Sequence, residues 1–434
     1  MVADIVRGGT KQLYPHLSDT ETTYANHETT FTSTGVEVST SNTQNQGGES
    51  HLMWAWDGGT ANVSKSAGDY NSTTYDTSED WSASFANGNN DTTDVGQAFR
   101  GIIDATGTGL SSTFLSLTDV AFDVTSTISV WVHDAGSNAV SIEYNGTTYT
   151  NSSPTKFGWT DFTVPAGSNS GTLKAKLASS SDEIRGVKID GKILVDSNVT
   201  PPNMPSIAST YRANPNTGFS IVTATASSTS GATMSIAHGL NAKPNFILGK
   251  DRENGVGWAV YHSALGATKK LNLSDATTSA TNANYWANTE PTSNVLYTKA
   301  ASWMYPSADT VFYVWSEVAG YSKFGTYIGN ADVNGPMVWC GFKPAFLMVK
   351  KYDSADNWLI WDNARGPYNE NTKKLAANID DAENSTNLGN DSYNMIDFLS
   401  NGFKIRSSAS SANGSSNFIF AAFAELPFKY SNAH

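Results

Sequence analysis

The sequence predicts an all-β protein built from tandem antiparallel β-sandwiches, and three observations carry that prediction. Charged residues make up only 15% of the chain while aromatics reach 11%, amid many Ser, Thr, Asn and Gly. That composition suits short strands joined by turns. No long segment carries apolar residues at helical spacing. Several strand-like phrases recur in the same order, the mark of repeated domains. A length of 434 residues suggests two to four domains.

The repeats set the organisation. IAHGLNAKPNFILGK at 236–250 matches VWCGFKPAFLMVK at 338–350, with Pro244 on Pro344, Lys250 on Lys350, Trp258 on Trp358 and Tyr261 on Trp361. The runs PNFILGK and PAFLMVK are nearly continuous in apolar residues, as central strands buried on both faces require. Each copy continues into a TKKL phrase and closes with a polar hairpin and an aromatic strand. Residues 221–330 and 331–434 are therefore expected to be two copies of one unit.

The chain opens inside such a unit. Asp4, Arg7 and Gly8 answer to Asp362, Arg365 and Gly366, and Thr10–Leu13 to Thr372–Leu375. The stretch closes on LMWAWDGG, so residues 1–59 read as the C-terminal half of a first unit. A half-sandwich exposes a strand edge, and this segment is expected to dock against another chain. Residues 60–94 are polar and read as a connector. Residues 95–197 show five or more strands with NG, DG and PAG reversals and read as a separate sandwich ending in IDGKILV. Residues 198–220 follow as a Pro-rich linker and an opening strand.

The net charge of −13 excludes the basic footprint of nucleic-acid binding and disfavours anionic membranes. No apolar run reaches the roughly 18–20 residues of a membrane span, and the N-terminus lacks the pattern of a signal peptide. The single cysteine, Cys340, excludes an intrachain disulfide and sits in the apolar string MVWCGF, which reads as core. None of the seven histidines is spaced for shared metal ligation, and no cofactor motif is found. His238 reads as a turn histidine. Glycoside hydrolysis needs two opposed carboxylates. Asp362 belongs to the repeat phrase, however, and Asp190 to a hairpin turn, so no catalytic residue is assigned.

Residues 214–250, with His238-Gly239-Leu240, Pro244 and Lys250, resemble the repeated β-domain of bacteriophage tail-fibre-like proteins, especially those of marine phages. The Asp-x-x-Arg-Gly phrase and IDGKILVDS share that resemblance. It implies a virion protein, made in the host cytoplasm, with a galactose-binding-like middle sandwich and no catalytic residues. It also implies that the first unit lacks the strand pair that usually precedes Asp-x-x-Arg-Gly.

Two loops depart from their siblings. The hairpin loop of the second unit carries Trp303, Met304 and Tyr305 where the other copies have Ser and Asn, and Tyr285 and Trp286 interrupt the polar string TNANYWANTE. Aromatic faces hold sugar rings, helped by amide and carboxylate hydrogen bonds. These five residues are the candidate contacts, and Trp303 and Tyr305 are expected to be exposed. Trp258, Trp315, Trp358 and Trp361 recur at repeat positions and are assigned to cores.

The function expected is that of a phage structural and adhesion protein, a tail fibre or fibre-like component. Its expected partners are other virion proteins, further copies of itself (possibly as a trimer) and a host surface glycan. A capsid-surface decoration protein is the alternative, and a polysaccharide-degrading tail spike a more distant one.

Overall fold

The computed structural model describes residues 1–425 except 25–28, 33–34, 40–44, 46, 68–74, 88–95, 102–113, 118–121, 134–138, 156, 169–172, 178–182, 198, 200–202, 384, 386–387 and 389–394. Among the described residues strand accounts for 42% and helix for 4%, so the protein is all-β. Two compact units result: Ala67–Ser206, and Met1–Ser66 together with Ile207–His434.

The unit Ala67–Ser206 is a sandwich. One sheet orders Gly158–Thr163, Thr127–His133, Glu183–Ile189, Lys192–Leu194 and Tyr75–Asp76. The other orders Thr147–Asn151, Val140–Tyr144, Leu173–Leu177, Phe114–Leu117 and Phe85–Asn87. Burial alternates along VSIEY and LKAKL, which turn Val140, Ile142, Leu173 and Ala175 onto Ile128, Val130 and Val132. The DG reversal is a two-residue hairpin turn. Asp190 and Gly191 have φ of 47° and 85°, and the Asp190 carboxylate accepts from the backbone N–H groups of Thr125, Ser126 and Thr127. Burial opposes these donors, but together they hold its pKa below the ordinary range.

The expected connector 60–94 is corrected. Tyr75–Asp76 joins the first sheet as a parallel partner of Lys192–Leu194, and Phe85–Asn87 joins the second. Trp81 is 1% exposed in the core. Tyr75 is buried as well, so two aromatics lie in the interior of a stretch whose average composition is polar.

The second and third repeats share one strand order. In the second it runs Lys269–Asn272 (ladder strand), Ala259–His262 (tryptophan strand), Phe246–Asp251 (lysine strand), Asp309–Trp315 (closing strand) and Phe219–Thr225 (opening strand). In the third it runs Lys374–Ala376, Trp358–Asp362, Phe346–Lys351, Asn417–Phe423 and Ser322–Ile328. The registers agree: Phe246 pairs with His262 and Trp315, and Phe346 with Asp362 and Phe423. The duplication is therefore real, but its boundary is corrected from 330/331. Ser322–Ile328 pairs along its whole length with Asn417–Phe423, so the third repeat begins near Ser322.

Each large sheet is buried on both faces, as its apolar runs require. In the third repeat Leu347, Val349, Leu359 and Trp361 pack under a small sheet of Met337–Trp339, Gly402–Ile405 and Ile396–Leu399. Phe346, Trp358 and Ile360 point the other way, into a core shared by all three repeats.

The first repeat contributes residues 2–4, the ladder strand Lys11–Gln12 and residues 50–56. The Val2↔Leu13 bridge matches Ile360↔Leu375 and Val260↔Leu271. Rather than standing alone, the segment packs onto the second and third repeats of its own chain. Trp56, Trp315 and Phe423 hold equivalent closing-strand positions, one from each repeat. Their ring centroids lie 5.8, 6.3 and 5.6 Å apart pairwise. Two copies of one β-unit and the matching N-terminal segment thus surround a common aromatic cluster.

Candidate functional site

The aromatic loop of the second repeat has one residue facing solvent and the rest facing in. Tyr305 is 52% exposed, whereas Trp303 is 2% exposed, which corrects the expectation that both face out. Met304, Tyr285 and Trp286 are buried as well. The Trp303 ring lies 5.9 Å from that of Trp286 and 5.8 Å from that of Phe312. It covers Gly249, where an added Cβ would come within 2.6 Å of the indole. Tyr285 and Trp286 sit on the short helix Ala283–Trp286, capped by the Asn282 side chain, and turn into the same core. The extra aromatics fill the second sandwich. Tyr305 remains, its N–H bound to Asp251 Oδ2 at 3.0 Å, beside a pocket of about 300 Å³ that also takes in Ser230 and Pro306.

The Asp-x-x-Arg phrase is a joint between repeats. Asp4 Oδ1 accepts from the backbone of Val6 and Arg7, and Asp4 Oδ2 accepts from Arg7 Nε and the Tyr313 hydroxyl. Arg7 Nη1 reaches Glu21 at 2.9 Å. The third repeat repeats this pattern, with Arg365 Nε on Asp362 Oδ2 at 2.7 Å and Nη1 on Glu383 at 3.1 Å. In the second repeat His262 does the same work with neutral chemistry. Its Nδ1 accepts from Ala264 N–H, and its Nε2 donates to Phe420 O at 3.1 Å. Burial lowers its pKa to about 4. His238 caps its own turn in the same way, with Nδ1 accepting from Leu240 and Nε2 on Thr292 O.

A second set of joints uses the repeated Lys and Trp. Trp258 Nε1 donates to Tyr14 O in the first repeat, and Trp358 Nε1 to Asn272 O in the second, each at 2.9 Å. Lys250 Nζ bonds Ser18 O, Asp251 O and Asn254 O, while Lys350 Nζ bonds Ala276 O and Asp356 O. Burial lowers both ammonium pKa values to about 8. Beside the first joint lies a polar cavity of about 350 Å³ lined by His16, Ser18, Asp19, Ser274 and Asp275. Among the described residues no three His, Cys, Asp or Glu side chains converge as a metal site requires. Cys340 is buried, and burial pushes its thiol up to about 12.

One surface was missed by sequence reasoning. On the strand Met337–Trp339 burial runs exposed, buried, exposed, so Met337 and Trp339 lie on the outer face of the small sheet. Trp339 is 61% exposed and faces Gly402 across the strand pair. Lys404 and Asp397 continue the next row, and Arg406 bonds Asp397 at 3.2 Å and Glu370 at 3.4 Å. Tyr368, 83% exposed, stands on the loop that Asn369 fastens to Phe398. The repeat comparison held the signal: Trp339 stands where the second repeat has Ala237.

The repeats and the joints between them define a repeat β-protein whose recurring Lys and Trp residues tie one repeat to the next. Residues 197–427, more than half of the chain, match the family described as Domain of unknown function (DUF7483), and the chain belongs to that family. The match spans the second and third repeats. No curated protein and no solved structure matches the chain.

Proposed function

We propose that the chain is a bacteriophage virion surface protein of the tail-fibre class, built to carry adhesive surfaces and to bind a host glycan without catalysing a reaction on it. The observation that carries this reading is the open platform of Trp339. A large indole lies on the outer face of a three-stranded sheet, flanked by Asp397, Lys404, Arg406 and Glu370. A sugar ring stacks on such a face while charged and amide groups take its hydroxyls. The three repeats around one aromatic core suit a scaffold, and the sequence resemblance supplies the virion context. In the unit Ala67–Ser206, Trp159 lies opposite Trp131 across two strands, with Lys188 Nζ 3.9 Å from the Trp159 ring centre. That face suits the galactose-binding-like reading of the middle sandwich.

The test is binding of the purified chain to an array of bacterial surface polysaccharides, alongside antibody labelling of phage particles. Binding should be lost in Trp339→Ala with an unchanged melting temperature, and the label should fall on the tail. Retention of binding by the variant refutes the platform, and absence of the protein from particles refutes the virion reading.

A further inference from the structure

The joint between the first and second repeats holds a polar recess, and at the matching place in the third repeat stands a pair of amide side chains. There Asn378 Oδ1 accepts from the Trp358 N–H at 2.8 Å, and Asn378 Nδ2 donates to Asn357 Oδ1 at 2.8 Å. The two repeats correspond residue by residue at this point, with Leu273 N–H on Trp258 O and Ala377 N–H on Trp358 O. Gly257 and Ser274 therefore stand where the third repeat has Asn357 and Asn378. A Cβ on Gly257 would come within 2.7 Å of Ser274 Oγ, so these two positions touch as the two amides do. Both amides are missing here, and the recess of about 350 Å³ opens against the smaller pair.

The exchange leaves polar groups unspent. The Trp258 N–H is the counterpart of the donor that Asn378 satisfies, and it makes no hydrogen bond among the described residues. Neither does Ser274 Oγ, nor the side chains of His16 and Asp19 on the opposite wall. Asn272 Nδ2 donates to Asp275 Oδ2 at 2.8 Å and holds that carboxylate in place. The recess and its margin thus offer carboxylate oxygens that only accept, an N–H that only donates, and a hydroxyl that does both.

Charge and size narrow the ligand. Burial lowers the pKa of Lys250 and Lys350, while Asp251 with Asp19 raises the first and Asp356 with Asp275 raises the second. Each carboxylate of the recess therefore already has an ammonium in electrostatic reach, which leaves little surplus charge for a cation. Among the described residues no three His, Cys, Asp or Glu side chains converge on a metal position, and an anion would face two carboxylates. A volume of about 350 Å³ lies at the small end of ligand clefts, roughly 300–1,000 Å³, and suits one sugar ring better than a chain of them. We propose that this recess binds a single ring of a neutral saccharide, whose hydroxyls donate to Asp19 and Asp275 and accept from Ser274 and the Trp258 N–H. The site goes beyond the glycan contact assigned to Trp339: it is built from other residues, and it holds the ring by hydrogen bonds rather than by stacking.

The experiment is saturation-transfer difference NMR on the full chain with the methyl pyranosides of glucose, galactose, mannose, rhamnose and N-acetylglucosamine. At least one should bind with a Kd of about 1 mM, the strength expected of a ligand of this size. Gly257→Asn combined with Ser274→Asn rebuilds the amide pair of the third repeat. That double variant should keep the parent melting temperature and lose the signal. Asp19→Asn, at an exposed residue, tests the same contact without touching the strands and should weaken binding about tenfold. Trp339→Ala should bind the monosaccharide as the parent does, so a failure of the platform leaves this site standing. Silence from all five glycosides overturns the proposal, and so does undiminished binding by the folded double variant or by Asp19→Asn. Loss of the signal in Trp339→Ala places the sugar on the platform, and loss on adding EDTA makes the recess a cation site; either result overturns it as well.

Discussion

Replacing Trp303 and Tyr305 separately by Ser distinguishes a core residue from a surface residue two positions along the same loop. Trp303 is packed against Trp286, Tyr285, Phe312 and the backbone of Gly249. Truncating a buried Trp costs about 3–5 kcal/mol, and Ser adds a hydroxyl that must find a partner in that space. At about 2–4 °C per kcal/mol for a large domain, Trp303→Ser should melt about 10 °C below the parent. Tyr305→Ser removes an exposed ring and should stay within about 0.5 kcal/mol of the parent. Differential scanning calorimetry on the two variants reads both numbers. Equal melting temperatures for Trp303→Ser and the parent would refute the packing derived for this loop.

Acid should weaken the fold through its two buried histidines. His238 and His262 titrate near 4 when folded because burial opposes their charge, but near 6.5 when unfolded. The unfolded chain therefore binds more protons between those values, and stability should fall as pH drops from about 6.5 toward 4, by about 2–3 kcal/mol per histidine. Urea unfolding at a series of pH values measures the slope, and His262→Gln should make it shallower; an unchanged slope contradicts the assignment. Lys350→Met keeps the aliphatic stem but strands the carbonyls of Ala276 and Asp356. It should cost about 1–3 kcal/mol and speed amide exchange around 276–279, where the second and third repeats meet. Unaltered exchange there would mean that the joint does not depend on the ammonium.

The sequence by itself determined the fold class and the repeat. The lysine and tryptophan strands are written as apolar runs too dense for one-sided burial, and the matched Pro, Lys and Trp positions align one repeat on the next. It also determined that Asp190 serves a turn and that Trp258, Trp315, Trp358 and Trp361 serve cores, because local chemistry and recurrence are properties of the chain alone. The tertiary structure decided which way each aromatic faces. Trp303 and Tyr305 are two residues apart in one polar-looking loop. One rotates inward because the small Gly249 leaves room for an indole; the other is left outside. Trp339 sits in an apolar string yet faces solvent, since its strand lies in a small sheet with only one covered face. The joints between repeats were likewise invisible in one dimension: a lysine bonding carbonyls some 74 or 232 positions away leaves no local periodicity, and only the packing of the repeats brings its partners into reach.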